Sequence, residues 1–151
     1  MDWIAAVIAG LAATTAISVV MTLAPRMGIP PIAIWDLLGS MFDPAGNRTL
    51  GWVAHFMMGV IFALIYAFLW STGIGSASVH SGVVFGAIHW LLVGLVMGMM
   101  PVLHAGMRAG GTAAPGFYML RAGGIMAFMG GLVGHLIYGV VIALVYSALA
   151  S

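Results

Sequence analysis

The sequence predicts an all-α membrane protein with four transmembrane helices built as two parallel two-helix repeats, and an interfacial or re-entrant helix in the first cytoplasmic connection. Three observations predict it. Hydrophobic residues make up 64% of the chain and charged residues 5%, too few polar groups to cover a water-facing surface. Uncharged apolar runs at about 3–24, 50–70, 82–103 and 127–149 are each long enough to cross a hydrocarbon core of ~30 Å, which takes roughly 20 helical residues. The second and fourth of these runs also repeat one another. A transmembrane barrel would need many short alternating strands, which continuous runs of Ala, Leu, Met and Gly do not supply.

The first run follows Asp2 rather than the positive segment of a secretory signal, and it exceeds a signal's apolar stretch in length, so it reads as a retained membrane helix. After it, PPIAIWDLLGSMF (30–42) carries prolines suited to a helix start and places Trp35 beside Asp36. Its mixed character suits an interfacial or re-entrant segment better than a fifth span. Spans two and three are joined by STGIGSASVHSG (71–82), small and polar. The second long connection ends in PGFYMLRAGGIM (115–126), where Pro115 to Gly123 repeats the spacing of Pro31 to Gly39. Trp3, Trp52 and Trp70 fall at the ends of runs, where an amphipathic ring sits between headgroups and tails. The whole chain, 1–151, reads as a single four-helix transmembrane domain, with repeat one at about 3–70 and repeat two at about 82–149.

Arg26 and Arg48 lie in the first long connection, Arg108 and Arg121 in the second, and there is no Lys. By the positive-inside rule both connections are cytoplasmic and both termini face out, as expected of a multi-pass protein of the bacterial inner membrane. Asp2, Asp36 and Asp43 nearly balance the arginines, so no basic patch exists for nucleic acid. Without cysteine there is no disulfide, thiolate ligand, c-type haem or Cys nucleophile. There is no Glu, no HExxH, no phosphate-cradling glycine motif and no Ser-His-Asp constellation on one face, so no catalytic residue can be named and the chain points away from an enzyme.

Sliding span two onto span four at an offset of 80 matches Gly51, Val53, His55, Gly59, Val60, Ala63, Leu64, Tyr66 and Leu69 with identical residues. In so apolar a chain the weight rests on His55 with His135 and Tyr66 with Tyr146. Span one matches span three more thinly, at an offset of 76, pairing Gly10 with Gly86 and Pro25 with Pro101. Gly10, Thr14, Ser18 and Thr22 on span one, and Gly86, Gly94 and Gly98 on span three, are small residues at helical spacing, and spans one and three are expected to pack closely through them.

At 100° per residue, His55, Gly59, Phe62 and Tyr66 share one stripe of span two, and His135, Gly139, Ile142 and Tyr146 repeat it on span four. Polar side chains facing lipid are costly, so both stripes should face inward, with His55 and His135 at one depth near the cytoplasmic side. His104 ends span three on the same side. Neutral imidazole is the commonest protein ligand for late transition metals and haem iron, so His55, His104 and His135 form a candidate metal site, with His55 and His135 a candidate haem b pair. Tyr66, Tyr146, Gly59 and Gly139 would support it. Met57 and Met58 would add thioethers suited to copper, but the thirteen methionines are better accounted for as packing filler, which leaves copper the lesser choice of metal.

The spans GWxxHFxxGxxFAxxYA (51–67) and GxxHWLLxGxxMGMMP (86–101) resemble those of small four-span bacterial membrane proteins of unknown function, a resemblance that covers most of the chain and implies no activity. The residues therefore carry the functional expectation. It is a small integral membrane protein whose intramembrane histidine cluster binds haem b or a transition metal ion (copper, zinc or iron) for electron transfer or metal handling. One alternative is an accessory or assembly subunit of a larger membrane complex. Another is a small oligomeric transporter or channel, acting as a homo-oligomer in the lipid bilayer.

Overall fold

Helices form where the apolar runs lie, and identifiable residues set their ends. A computed structural model describes residues 1–31 and 34–150; Ile32 and Ala33 of the expected interfacial segment, and Ser151, lie outside the described residues. The helices are α1 (Trp3–Leu23), α2 (Ile34–Gly39), α3 (Arg48–Ser71), α4 (Val79–Leu103), α5 (Ala105–Arg108) and α6 (Leu120–Leu149), with short 3-10 stretches at Ala24–Met27 and Phe117–Met119. No strand occurs among the described residues. Among the described residues four stretches are long and apolar enough to cross a membrane: Trp3–Met27, Arg48–Ser71, Val79–Leu103 and Phe117–Leu149. This is the expected all-α, four-span class, and α2 occupies the segment read as interfacial or re-entrant.

Side-chain oxygens start the long helices by accepting from first-turn amides that have no partner within the helix. Asp2 Oδ1 accepts from the Ala5 amide at 2.9 Å and Asn47 Oδ1 from the Leu50 amide at 3.2 Å. Ser78 Oγ does the same for the Ser81 amide at 3.3 Å. Pro25 tightens the end of α1 into a 3-10 turn, which Gly28 closes at φ 80°. Gly124, at φ 58° and ψ −150°, breaks the start of α6 in a backbone region open only to glycine, so the span proper follows it.

The chain forms two compact units. The first comprises Met1–Val20, Phe56–His89 and Leu132–Ser151; the second comprises Met21–His55 and Trp90–Gly131. Each draws on both sequence repeats. All four arginines fall in the second.

In the first unit small residues let helix backbones touch, the main route to helix association in lipid. A Cβ at Gly10 would lie 2.9 Å from Ala63 Cβ, and one at Gly59 would overlap the Thr14 hydroxyl. On the other pair, Cβ atoms at Gly82 and Gly139 would each strike the opposite glycine's carbonyl, and one at Gly86 would strike the His135 carbonyl. Gly10 therefore meets α3 and Gly86 meets α6, where close packing of spans one and three on each other was expected, while Gly94 and Gly98 lie against the rings of Tyr118 and Phe117. Gly10 packs on Gly59 and Ala63 as Gly82 packs on Gly139 and Ala143. Packing thus pairs Gly10 with Gly82, one helical turn from the Gly86 that sequence matching selects.

Candidate functional site

The first unit gathers its polar side chains at the middle of α4. His89 is 7% exposed. Its ring stacks on Phe62 of α3, with centroids 3.7 Å apart, and meets the His135 ring of α6 edge to face at 4.8 Å. Tyr66 Oη lies 3.4 Å from His89 Nδ1. Tyr138, 3% exposed, donates its hydroxyl hydrogen to the Gly59 carbonyl and stands edge-on to His89 at 5.4 Å. Two imidazoles and two phenols from three helices thus share one apolar interior.

The helices explain the placement. Tyr66 and His89 are buried on α3 and α4, Gly139 and Ile142 on α6, while Val133 and Leu144 of α6 are exposed. The close approach at Gly82, Gly86 and Gly139 draws α4 and α6 together, so the two histidine rings can touch. Toward the chain termini the unit closes with polar contacts. Trp70 Nε1 donates to Ser81 Oγ at 2.9 Å, and the Asp2 amide donates to Tyr146 Oη at 3.1 Å. Trp70 is buried against Phe85 and Tyr146, in contrast to the lipid-interface role its position suggested.

The predicted residues divide between the units. His135, Tyr66, Tyr146, Gly59 and Gly139 belong to the first, His55 and His104 to the second. His55 stands edge-on to Trp35, with centroids 6.4 Å apart, and Trp35 stacks on Trp52 at 4.1 Å. His104 is fully buried with both ring nitrogens engaged: Nε2 donates to the Leu37 carbonyl at 2.7 Å, and Nδ1 accepts from the Met107 amide at 3.2 Å. That fixes a neutral tautomer, caps α5 and ties the end of α4 to α2. No ring nitrogen is left over for a metal, so the ligand role expected of His104 gives way to a structural one. Among the described residues no group of three or more His, Cys, Asp or Glu could hold a metal ion.

The repeat marks neither His89 nor Tyr138, so the sequence sets His89 apart from the candidate cluster, in the outer half of span three, and does not single out Tyr138. Tyr138 aligns with Met58 at the offset of 80, and His89 aligns with Ala13 at the offset of 76. The available signal was a polar residue in mid-span: His89 lies ten residues from the start of α4 and fourteen from its end.

The second unit carries a shallow polar depression of about 280 Å³, lined by Asp36, Ser40, Asn47, Arg48 and Thr112 with the 44–46 turn and Gly111. The Asp43–Pro44 turn chemistry appears as expected, with Asp43 Oδ1 accepting from the Ala45 amide at 3.0 Å.

Fold and interior polar cluster together define a small four-span helical membrane protein. The chain belongs to the family of unknown function DUF6789, which matches residues 1–151. No curated protein and no solved structure matches it.

Proposed function

We propose that the protein binds one transition-metal ion between His89 and His135 within the membrane, in metal handling or electron transfer. The observation that carries this reading is the 4.8 Å edge-to-face contact between the two rings in mid-span, a spacing from which side-chain rotation would turn a nitrogen of each toward one ion at metal–nitrogen bonds of about 2.0–2.1 Å. If His89 ligates through Nε2, its Nδ1–H donates to Tyr66 Oη, the kind of outer contact that fixes a ligand's tautomer. A haem would need a porphyrin between the rings, and edge-to-face contact leaves no slot for one. Charge narrows the choice further. Among the described residues of the first unit the only acidic side chain is Asp2, so a divalent ion would bring an uncompensated double charge into low dielectric. Copper(I), singly charged and satisfied by two imidazoles, fits best.

The arginine-bearing connections lie on the cytoplasmic side of a bacterial inner membrane and both termini outside, a reading supported by the positive-inside rule applied to Arg26, Arg48, Arg108 and Arg121. A second reading, in which the cluster only holds helices together in an accessory subunit, draws on the Tyr138 hydrogen bond to Gly59.

The test is copper stoichiometry after anaerobic loading against a competing chelator. One copper per chain, lost in His89→Ala and His135→Ala and kept in His55→Ala, supports the site. Equal copper in wild type and the His89→Ala/His135→Ala double variant overturns it.

A further inference from the structure

The depression in the second unit lies where α2, the start of α3 and the segment after α5 converge. Its charged groups are Asp36 and Arg48. Arg48 Nε lies 3.8 Å from Asp36 Oδ1, close enough to attract but beyond hydrogen-bond distance, and both side chains are more than half exposed. Each therefore keeps its directional bonds for another partner. Arg48 is further steadied by the Trp35 ring, 5.9 Å from its guanidinium carbon.

The hydroxyls refine the chemistry. Ser40 Oγ donates to the Asp36 carbonyl at 2.8 Å, so in its 3.1 Å contact with Thr112 Oγ1 it is the acceptor and Thr112 the donor. The Thr112 hydrogen is then spent and its lone pairs remain. The depression offers acceptors from Asp36 and Thr112, and a donor fork from Arg48. That set fits a ligand with a primary ammonium and a phosphate joined by a short spacer. A volume of about 280 Å³, room for roughly nine waters at ~30 Å³ each, suits a headgroup and excludes an acyl chain.

We propose that this depression binds the phosphoethanolamine headgroup of a membrane lipid, the ammonium on Asp36 and Thr112 and the phosphate on Arg48. The lipid is favoured over the free compound because α3, whose first residue Arg48 lines the depression, has membrane-spanning length, and the stacked Trp35 and Trp52 are the ring type enriched at the headgroup level. A choline headgroup has no N–H for Thr112, and a glycerol headgroup has no cation for Asp36.

The full chain, delipidated in detergent, is titrated with phosphatidylethanolamine, phosphatidylcholine or phosphatidylglycerol and read by native mass spectrometry. Wild type should retain phosphatidylethanolamine about tenfold better than either competitor, as expected for hydrogen bonds to charged groups. Asp36→Asn and Thr112→Val should bring the ethanolamine and choline lipids to parity, and Arg48→Ala should lose both. Unchanged helicity and elution volume of Thr112→Val keep the comparison valid if Arg48→Ala does not fold. Equal retention of the three lipids by wild type, or variants that discriminate as wild type does, overturns the site. Free phosphoethanolamine binding as tightly as the lipid overturns the lipid as its ligand.

Discussion

The His89 ring meets the His135 ring edge to face at 4.8 Å, and Phe62 stacks on His89 at 3.7 Å. Two ionisable side chains in direct contact in mid-span are costly to place in a membrane, and such groups mark functional sites by default. Around them the glycine contacts and buried hydrogen bonds make separable predictions.

Gly139 and Gly82 touch through their backbones, so a side chain at either must part α4 from α6. Gly139→Val should destabilise the protein by about 1–3 kcal/mol, the usual range for overpacking. Thermal unfolding in detergent checks this, with lipid-facing Leu144→Ala, which is half exposed, expected to unfold as wild type does.

His104 satisfies two backbone groups while fully buried. His104→Ala should cost about 1–3 kcal/mol by leaving the Leu37 carbonyl and the Met107 amide without it. Copper stoichiometry should stay at the wild-type value, which separates this histidine from His89 and His135.

Tyr138→Phe removes only a hydroxyl. Its hydrogen bond to the Gly59 carbonyl should be worth about 0.6 kcal/mol, typical for helix contacts within membranes. A loss of several kcal/mol on unfolding would mean the cluster serves chiefly to hold helices together.

The arginines also predict topology. A reporter enzyme active only outside the cytoplasm should be active when fused after Ala150 and inactive when fused after Gly110. The opposite pattern would reverse the orientation.

Much of the fold was legible because length and apolarity alone specify a membrane helix. The run expected at 82–103 became Val79–Leu103, and that at 50–70 became Arg48–Ser71. The site was less legible. His55 and His135 match in sequence, but a repeat records ancestry and not which rings touch, and the His89 ring that meets His135 is not duplicated. His104 looked like a ligand because nothing in the sequence shows that α2 would present the Leu37 carbonyl to it. The shift from Gly86 to Gly82 as the counterpart of Gly10 has the same origin. Small residues recur along α4, and only the packed backbones select the register.

X-ray absorption at the copper edge of copper(I)-loaded protein tests the central claim most directly. Two imidazole nitrogens with no sulfur neighbour, and a signal abolished in His89→Ala, are the predicted result. A sulfur shell from methionine, or the same spectrum in the His89→Ala/His135→Ala double variant, would contradict it.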